Sequence, residues 1–337
     1  MSITISITWI ATALLAFFLS EFLGKKLIPV LHRLKFGQTI RDEGPAWHKS
    51  KQGTPTMGGI IFIAAMLMLT VVAMLVAQLF LKDKVVTDAD TVATVTRLFA
   101  GIVMAIGFGV IGFLDDFIKV VKKRNLGLTS RQKLLLQLLL SGGYALLVYF
   151  TGGAQIDIPF YGTWNAGFWY VPIAVFIIVA MTNATNLTDG VDGLCGSVSV
   201  IACLFLLIIC GGSMGYGIVA SAMAGALAGF LVWNFHPARV FMGDTGSLFI
   251  GGVLCAVAFG VGRPLLLLPI GIVYFFETVS VMLQVTYFKL THGKRLFKMS
   301  PLHHHFEMCG WSENKIVAVA SLTTIAGGVI ALVFAIL

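Results

Sequence analysis

Leu98-Phe99-Ala100-Gly101-Ile102-Val103-Met104-Ala105-Ile106-Gly107-Phe108-Gly109-Val110-Ile111-Gly112-Phe113-Leu114-Asp115-Asp116-Phe117-Ile118-Lys119 is the stretch on which the fold turns: a long apolar run that ends, without a break, in two carboxylates and a lysine. The run from Thr96 to Val120 is long enough to cross a bilayer as a helix, which takes about 20 residues. Ionisable groups at such depth are costly and usually functional. Two neighbouring carboxylates repel, which raises the proton affinity of one and favours a nearby cation. Lys119, three and four residues on, shares their helix face and can hold a phosphate or neutralise the pair. The plain alternative is a polar helix end.

Runs of the same kind recur along all 337 residues. Spans are expected near Ile3–Val30, Met57–Leu81, Thr96–Val120, Gln132–Thr151 and Trp169–Ala184, then near Leu194–Cys210, Tyr216–Trp233, Ser247–Gly260, Leu265–Phe288 and Lys315–Ile336, roughly ten in all. Composition agrees: 58% of residues are hydrophobic and 11% charged, against roughly 45–50% and about 25% in a soluble domain. The expectation is an all-α, polytopic membrane protein forming a single domain over 1–337, with no internal repeat. The apolar segment Ile3–Leu23 reads as a retained first helix, because Lys25 and Lys26 follow it where a signal peptide would carry its charge in front. Between the fourth and fifth spans, Ile156-Asp157-Ile158-Pro159-Phe160-Tyr161-Gly162 predicts a small surface hairpin. The five cysteines are odd in number, lie mostly in apolar runs and read as buried free thiols.

Lys and Arg set the orientation. Of the 23, nineteen fall at one set of helix ends, and only Lys82, Lys84, Arg97 and Arg263 at the other. The first set is therefore expected to be cytoplasmic, with both termini outside. Topology and anionic lipid account for part of the net charge of +8, and the basic residues that share loops with acids are left for a phosphate-bearing substrate.

Three further loops at that face carry chemistry. Asn183-Ala184-Thr185-Asn186-Leu187-Thr188-Asp189-Gly190-Val191-Asp192-Gly193 has no Lys or Arg, so its polarity does not serve topology. Its oxygens suit a hard cation or sugar hydroxyls, while the alternative is two ordinary Asp-Gly turns. In Asn234-Phe235-His236-Pro237-Ala238-Arg239-Val240-Phe241-Met242-Gly243-Asp244-Thr245-Gly246-Ser247, Asp244 stands directly before a helix. It can meet a cation there while the helix N-terminus offers amides to a phosphate, or it can serve only as a cap. Phe241 is either an interface aromatic or a platform for a nucleobase. In Ser300-Pro301-Leu302-His303-His304-His305-Phe306-Glu307, three consecutive imidazoles cannot converge on one metal, which disfavours zinc and leaves donors to phosphate or sugar oxygens, or a solvated loop. Lys51-Gln52-Gly53-Thr54-Pro55-Thr56-Met57-Gly58-Gly59 leads into the second span as a flexible, donor-rich segment. Glu277 and Gln284 share one face of the ninth span, where Glu277 is expected to bond across helices, and the small-residue run Ala220–Gly229 is expected to pack helices.

Together these motifs, over essentially the whole chain, resemble the polyprenyl-phosphate N-acetylhexosamine-1-phosphate transferase family, through Asp115-Asp116, Asn186 to Gly193 and Phe241 to Gly246. Gly53 to Gly59 and Pro301 to Glu307 are similar to the bacterial branch that uses UDP-N-acetylmuramoyl-pentapeptide. The resemblance implies a magnesium-dependent transfer of phospho-N-acetylmuramoyl-pentapeptide to undecaprenyl phosphate at the cytoplasmic face of a bacterial cell membrane, releasing UMP. It implies Asp244 as the magnesium ligand and Asp115 as a base or acceptor-positioning group, with Asp116 and His303 completing the catalytic set. Lys51, Thr56, Lys119, Lys133, Asn183, Asn186, Asp189, Asp192, Phe241, Gln284, His304 and His305 are implied on the substrate side, uridine lying near Asp189, Asp192 and Phe241. Direct attack by the lipid phosphate is favoured over a covalent Asp intermediate. No nucleic acid is implied, and a homodimer is one option for the assembly. The alternatives are a sister transferase for UDP-N-acetylglucosamine and a membrane transporter.

Overall fold

The structure, a computed structural model, describes residues 3–34, 51, 53–80, 89–122 and 127–336. Its helices are α1 (Ile3–Arg33), α2 (Gly59–Phe80), α3 (Ala89–Val121), α4 (Ser130–Phe150), α5 (Tyr170–Thr188), α6 (Leu194–Ile209), α7 (Met214–Asn234), α8 (Gly243–Gly260), α9 (Leu267–Ile270), α10 (Ile272–Leu290), α11 (Leu302–Glu307) and α12 (Glu313–Ile336). Eight of them are long and apolar enough to cross a membrane. In lipid a helix satisfies every backbone group internally, so such runs have little alternative.

The expected ninth span, Leu265–Phe288, is not one rod. α9 and α10 bend by 80° at Gly271, and counting the pair as one span makes nine. Pro264, Pro269 and Gly271 sit at this break, residues that end or kink helices. α6 has 16 residues, shorter than the other candidate spans. Lys35, Arg41, Lys49, Lys82, Lys84, Lys123 and Arg124, part of the charge bias read above, lie outside the described residues.

α7 and α8 form the buried centre, and nearly every residue of α8 is enclosed. α7 packs on α1 through its small residues: a Cβ on Gly225 would stand 2.0 Å from the Ala13 carbonyl oxygen, and one on Gly229 2.2 Å from that of Phe17. Such close approach of backbones replaces the hydrophobic drive that lipid cannot supply. α8 crosses α3, and Gly112 allows the approach that places Asp244 beside the α3 acids: a Cβ there would lie 2.1 Å from the Asp244 carbonyl oxygen. The expected hairpin is present, β1 (Gln155–Ile158) pairing antiparallel with β2 (Gly162–Asn165). It joins the ends of α4 and α5 opposite the acidic motifs, and its Asp157 is 3.4 Å from Arg263 Nε.

Candidate active site

The C-terminal ends of α3 and α5 and the N-terminal ends of α4 and α8 meet at one end of the bundle, and Asp244 is where their side chains converge. Its Oδ2 lies 2.9 Å from Lys133 Nζ and 3.2 Å from Lys119 Nζ. Its Oδ1 accepts Asn186 Nδ2 at 2.8 Å, and Asn186 also donates to Ser247 Oγ at 2.9 Å and accepts from Lys133 at 3.3 Å. A capping box between Thr129 and Gln132 starts α4 and so fixes where Lys133 begins its reach.

The two adjacent carboxylates have different duties. Asp116 caps α8 from a neighbouring helix: its Oδ2 accepts the Thr245 amide at 2.9 Å and hydroxyl at 2.7 Å, and its Oδ1 accepts the Asp244 amide at 3.2 Å. Amides at a helix start have no intrahelical acceptor, and a carboxylate there meets the positive end of the dipole. Asp115 accepts the Leu128 amide at 2.8 Å and pairs with Lys119. A Cβ on Gly127 would stand 2.5 Å from the same carboxylate.

Asp115, Asp116 and Asp244 bring carboxylate oxygens within 4.8 Å of one another. Three carboxylates face two ammoniums, Lys119 and Lys133, so negative charge is in excess. Hard oxygens in a small cluster suit magnesium, which keeps few protein ligands and completes its shell with water and phosphate. Asp244 suits that role best, since its oxygens are met by the side chains of Lys119, Lys133 and Asn186, whereas backbone amides hold Asp115 and Asp116. Asp189, at the end of α5, contributes to the same field: burial pushes its carboxyl well above the ordinary Asp range, reinforced by Asp244, Asp116 and Asp192.

Thr56 and Phe241 arrive on two segments zipped by backbone hydrogen bonds, Phe241 N to the Pro55 carbonyl and Gly58 N to the Phe241 carbonyl, both at 2.8 Å. Gly243, with φ of 70°, turns the chain beside the Thr56 hydroxyl and the Asp116 carboxylate. Lys51 stands apart from the Asp244 group, bound at 2.7 Å to Asp192 and at 2.7 Å to Glu313. Asp192, His236 and Glu313 are also close enough to hold a cation, and the Lys51 ammonium already sits against both carboxylates.

The three histidines diverge. His303 is buried beneath the α5–α6 loop, its Nε2 2.1 Å from where a Gly190 Cβ would be. Its Nδ1 lies 3.1 Å from Glu277 Oε2, out of line for a hydrogen bond, while its backbone amide donates to the same oxygen at 3.3 Å. His304 Nδ1 meets Glu307 at 2.6 Å, and His305 Nδ1 accepts the Lys298 amide at 3.1 Å. Glu277 thus bonds to another helix, as expected. Gln284 holds the last loop to α10, accepting the Leu296 and Phe297 amides at 3.2 and 2.8 Å. Asn183 pairs with the Gln137 amide at 2.8 Å rather than with the acids. Gln137, Thr245, His236 and Glu313 were not singled out from the sequence, where no local pattern sets them apart.

Residues 98–261 match the sequence model of glycosyl transferase family 4, and residues 51–63 match phospho-N-acetylmuramoyl-pentapeptide-transferase signature 1. The chain is 49% identical over 314 residues to a phospho-N-acetylmuramoyl-pentapeptide-transferase of Clostridium perfringens (strain SM101 / Type A), covering 92% of each chain. Proteins of the same name from Clostridium botulinum (strain Alaska E43 / Type E3) and Clostridium kluyveri (strain NBRC 12016) are 46% and 44% identical, over 94% of this chain and 94% and 96% of theirs.

Proposed function

The chain belongs to the phospho-N-acetylmuramoyl-pentapeptide-transferases of glycosyl transferase family 4, and from that membership we propose how its residues share out the reaction. It is a multi-pass membrane enzyme that transfers phospho-N-acetylmuramoyl-pentapeptide from its UDP conjugate to undecaprenyl phosphate. UMP leaves, and the first lipid-linked peptidoglycan precursor remains in the membrane. The site lies at the cytoplasmic face, counting α6 and the bent α9–α10 pair among ten crossings, as the Lys and Arg bias favours.

The observation that carries the assignment of roles is the convergence of Lys119, Lys133 and Asn186 on Asp244, beside Asp115. The donor diphosphate lies against Lys119 and Lys133, whose ammoniums oppose its charge. Asp244 would hold magnesium, which would supply positive charge against the diphosphate and the departing UMP phosphate. An oxygen of the lipid phosphate forms a bond to the phosphorus that bears the sugar, and the bond from that phosphorus to the UMP oxygen breaks. No proton need be removed from an acceptor phosphate that is already ionised. Both oxygens of Asp115 and of Asp116 are engaged by other groups, which supports direct attack over a covalent Asp intermediate. Asp115 orients Lys119, whose ammonium then lies between the donor diphosphate and the acceptor phosphate. Phe241 offers a face to the uracil ring, with Asp189 and Asp192 near the uridine, and His303, His304 and His305 serve as donors to phosphate or sugar oxygens.

Offering UDP-N-acetylmuramoyl-pentapeptide and UDP-N-acetylglucosamine in turn tests the donor. UMP release with the first alone supports the reading; equal turnover of the smaller donor contradicts it.

A further inference from the structure

Glu313, the first residue of α12, holds three separate chain segments. Its Oε2 is 2.7 Å from Lys51 Nζ in the stretch before α2 and accepts the Asp192 amide of the α5–α6 loop at 3.0 Å. Its Oε1 is 3.5 Å from His236 Nδ1 in the α7–α8 loop. Asp192 closes the array: its Oδ1 takes Lys51 Nζ at 2.7 Å, and its Oδ2 takes the Ala238 amide at 3.0 Å and His236 Nδ1 at 3.1 Å. The Glu313 side chain is 10% exposed and that of Asp192 3%. Breaking such a pair leaves the remaining charges poorly compensated.

This array is continuous with Phe241. The segment of Lys51 runs on to Pro55 and Gly58, whose backbones bracket Phe241, and the segment of His236 and Ala238 leads into it from the other side. We propose that Glu313 is a positioning residue for the donor nucleotide: it fixes Lys51, Asp192 and the α7–α8 loop before the nucleotide arrives. Glu313 touches no reacting group and acts through Lys51 and Asp192. The inference rests on the reading of the chain as a UDP-donor transferase. A group that organises a binding surface without touching the reacting phosphorus affects the donor KM and leaves kcat nearly intact.

The test uses the full chain in detergent with Glu313→Gln and Glu313→Asp, measuring kcat, KM for each substrate, and UMP binding by calorimetry. Glu313→Gln is expected to raise the donor KM and the UMP Kd by on the order of ten- to a hundredfold, the range for loss of a charge-assisted hydrogen bond. The undecaprenyl phosphate KM and kcat should stay near wild type. Glu313→Asp, which keeps the charge but shortens its reach, should fall between, and it decides the matter if the Gln variant fails to fold. Wild-type donor KM and UMP affinity in both variants would overturn the proposal, as would an equal effect on kcat and both KM values. A wild-type chain that binds UMP, loses that binding in Glu313→Gln, and yet releases no UMP from the donor would instead overturn the transferase reading alone.

Discussion

Asp116, at the end of α3, receives both the backbone amide and the hydroxyl of Thr245, in the first turn of α8, at 2.9 and 2.7 Å. One carboxylate therefore sets where α8 begins, and with it the direction of Asp244. Thr245→Val removes the hydroxyl donor from a buried acceptor. It is expected to destabilise the protein by about 1–3 kcal/mol, seen as a lower Tm in detergent, and to reduce turnover while raising the KM for magnesium. An unchanged Tm would show that this cap is dispensable.

Lys133 and Lys119 both reach Asp244 Oδ2, but Lys119 also serves Asp115. Lys133→Met is therefore expected to lower kcat/KM by about 10²–10³, as removal of one charge-stabilising donor does. Thermal stability should fall little, because Lys119 and Asn186 still hold Asp244. Steady-state UMP release alongside a melting curve separates the two effects.

Asp189 gives a dependence on pH. Its carboxyl holds its proton well above the ordinary Asp range because of burial and the neighbouring Asp244, Asp116 and Asp192. Between the unfolded value and this raised one, the folded chain binds more protons than the unfolded chain, so wild-type stability falls as pH rises through that window. Asp189→Asn removes its share of that slope. In chelator, its Tm advantage over wild type should be absent at acid pH and should grow as pH rises, and a constant difference would contradict the assignment.

Gly190 leaves no space above His303. A Cβ there would stand 2.1 Å from His303 Nε2, so Gly190→Ala is expected to cost about 1–3 kcal/mol by overpacking. His303→Ala should remove the clash. The double variant should then be less destabilised than the sum of the two singles, a coupling of about 0.5–3 kcal/mol in a denaturation cycle.

The sequence made the spans and the acidic motifs legible because apolar length and buried charge are local properties. Asp115-Asp116, Asp189 and Asp244 could be singled out on those grounds, and their convergence followed from all lying at one set of helix ends. What stayed hidden is relational. Nothing local distinguishes Asp116, which caps another helix, from Asp115, which faces Lys119. Asn183 has the same composition-level signature as Asn186, yet one pairs with Gln137 and the other with Asp244. A window of about 20 apolar residues averages over the bend at Gly271, although Pro269 and Gly271 were its signals. Glu313 reads as an ordinary acid at a helix start until folding brings Lys51 and Asp192 to it.

The central claim is that transfer occurs at Asp244 and depends on magnesium there. UMP release from UDP-N-acetylmuramoyl-pentapeptide and undecaprenyl phosphate should be measured for wild type and Asp244→Ala, each with magnesium and with chelator. Wild type should release UMP only with magnesium, and Asp244→Ala, still folded by its melting curve, should release none in either. Full magnesium-dependent release by Asp244→Ala would contradict the account.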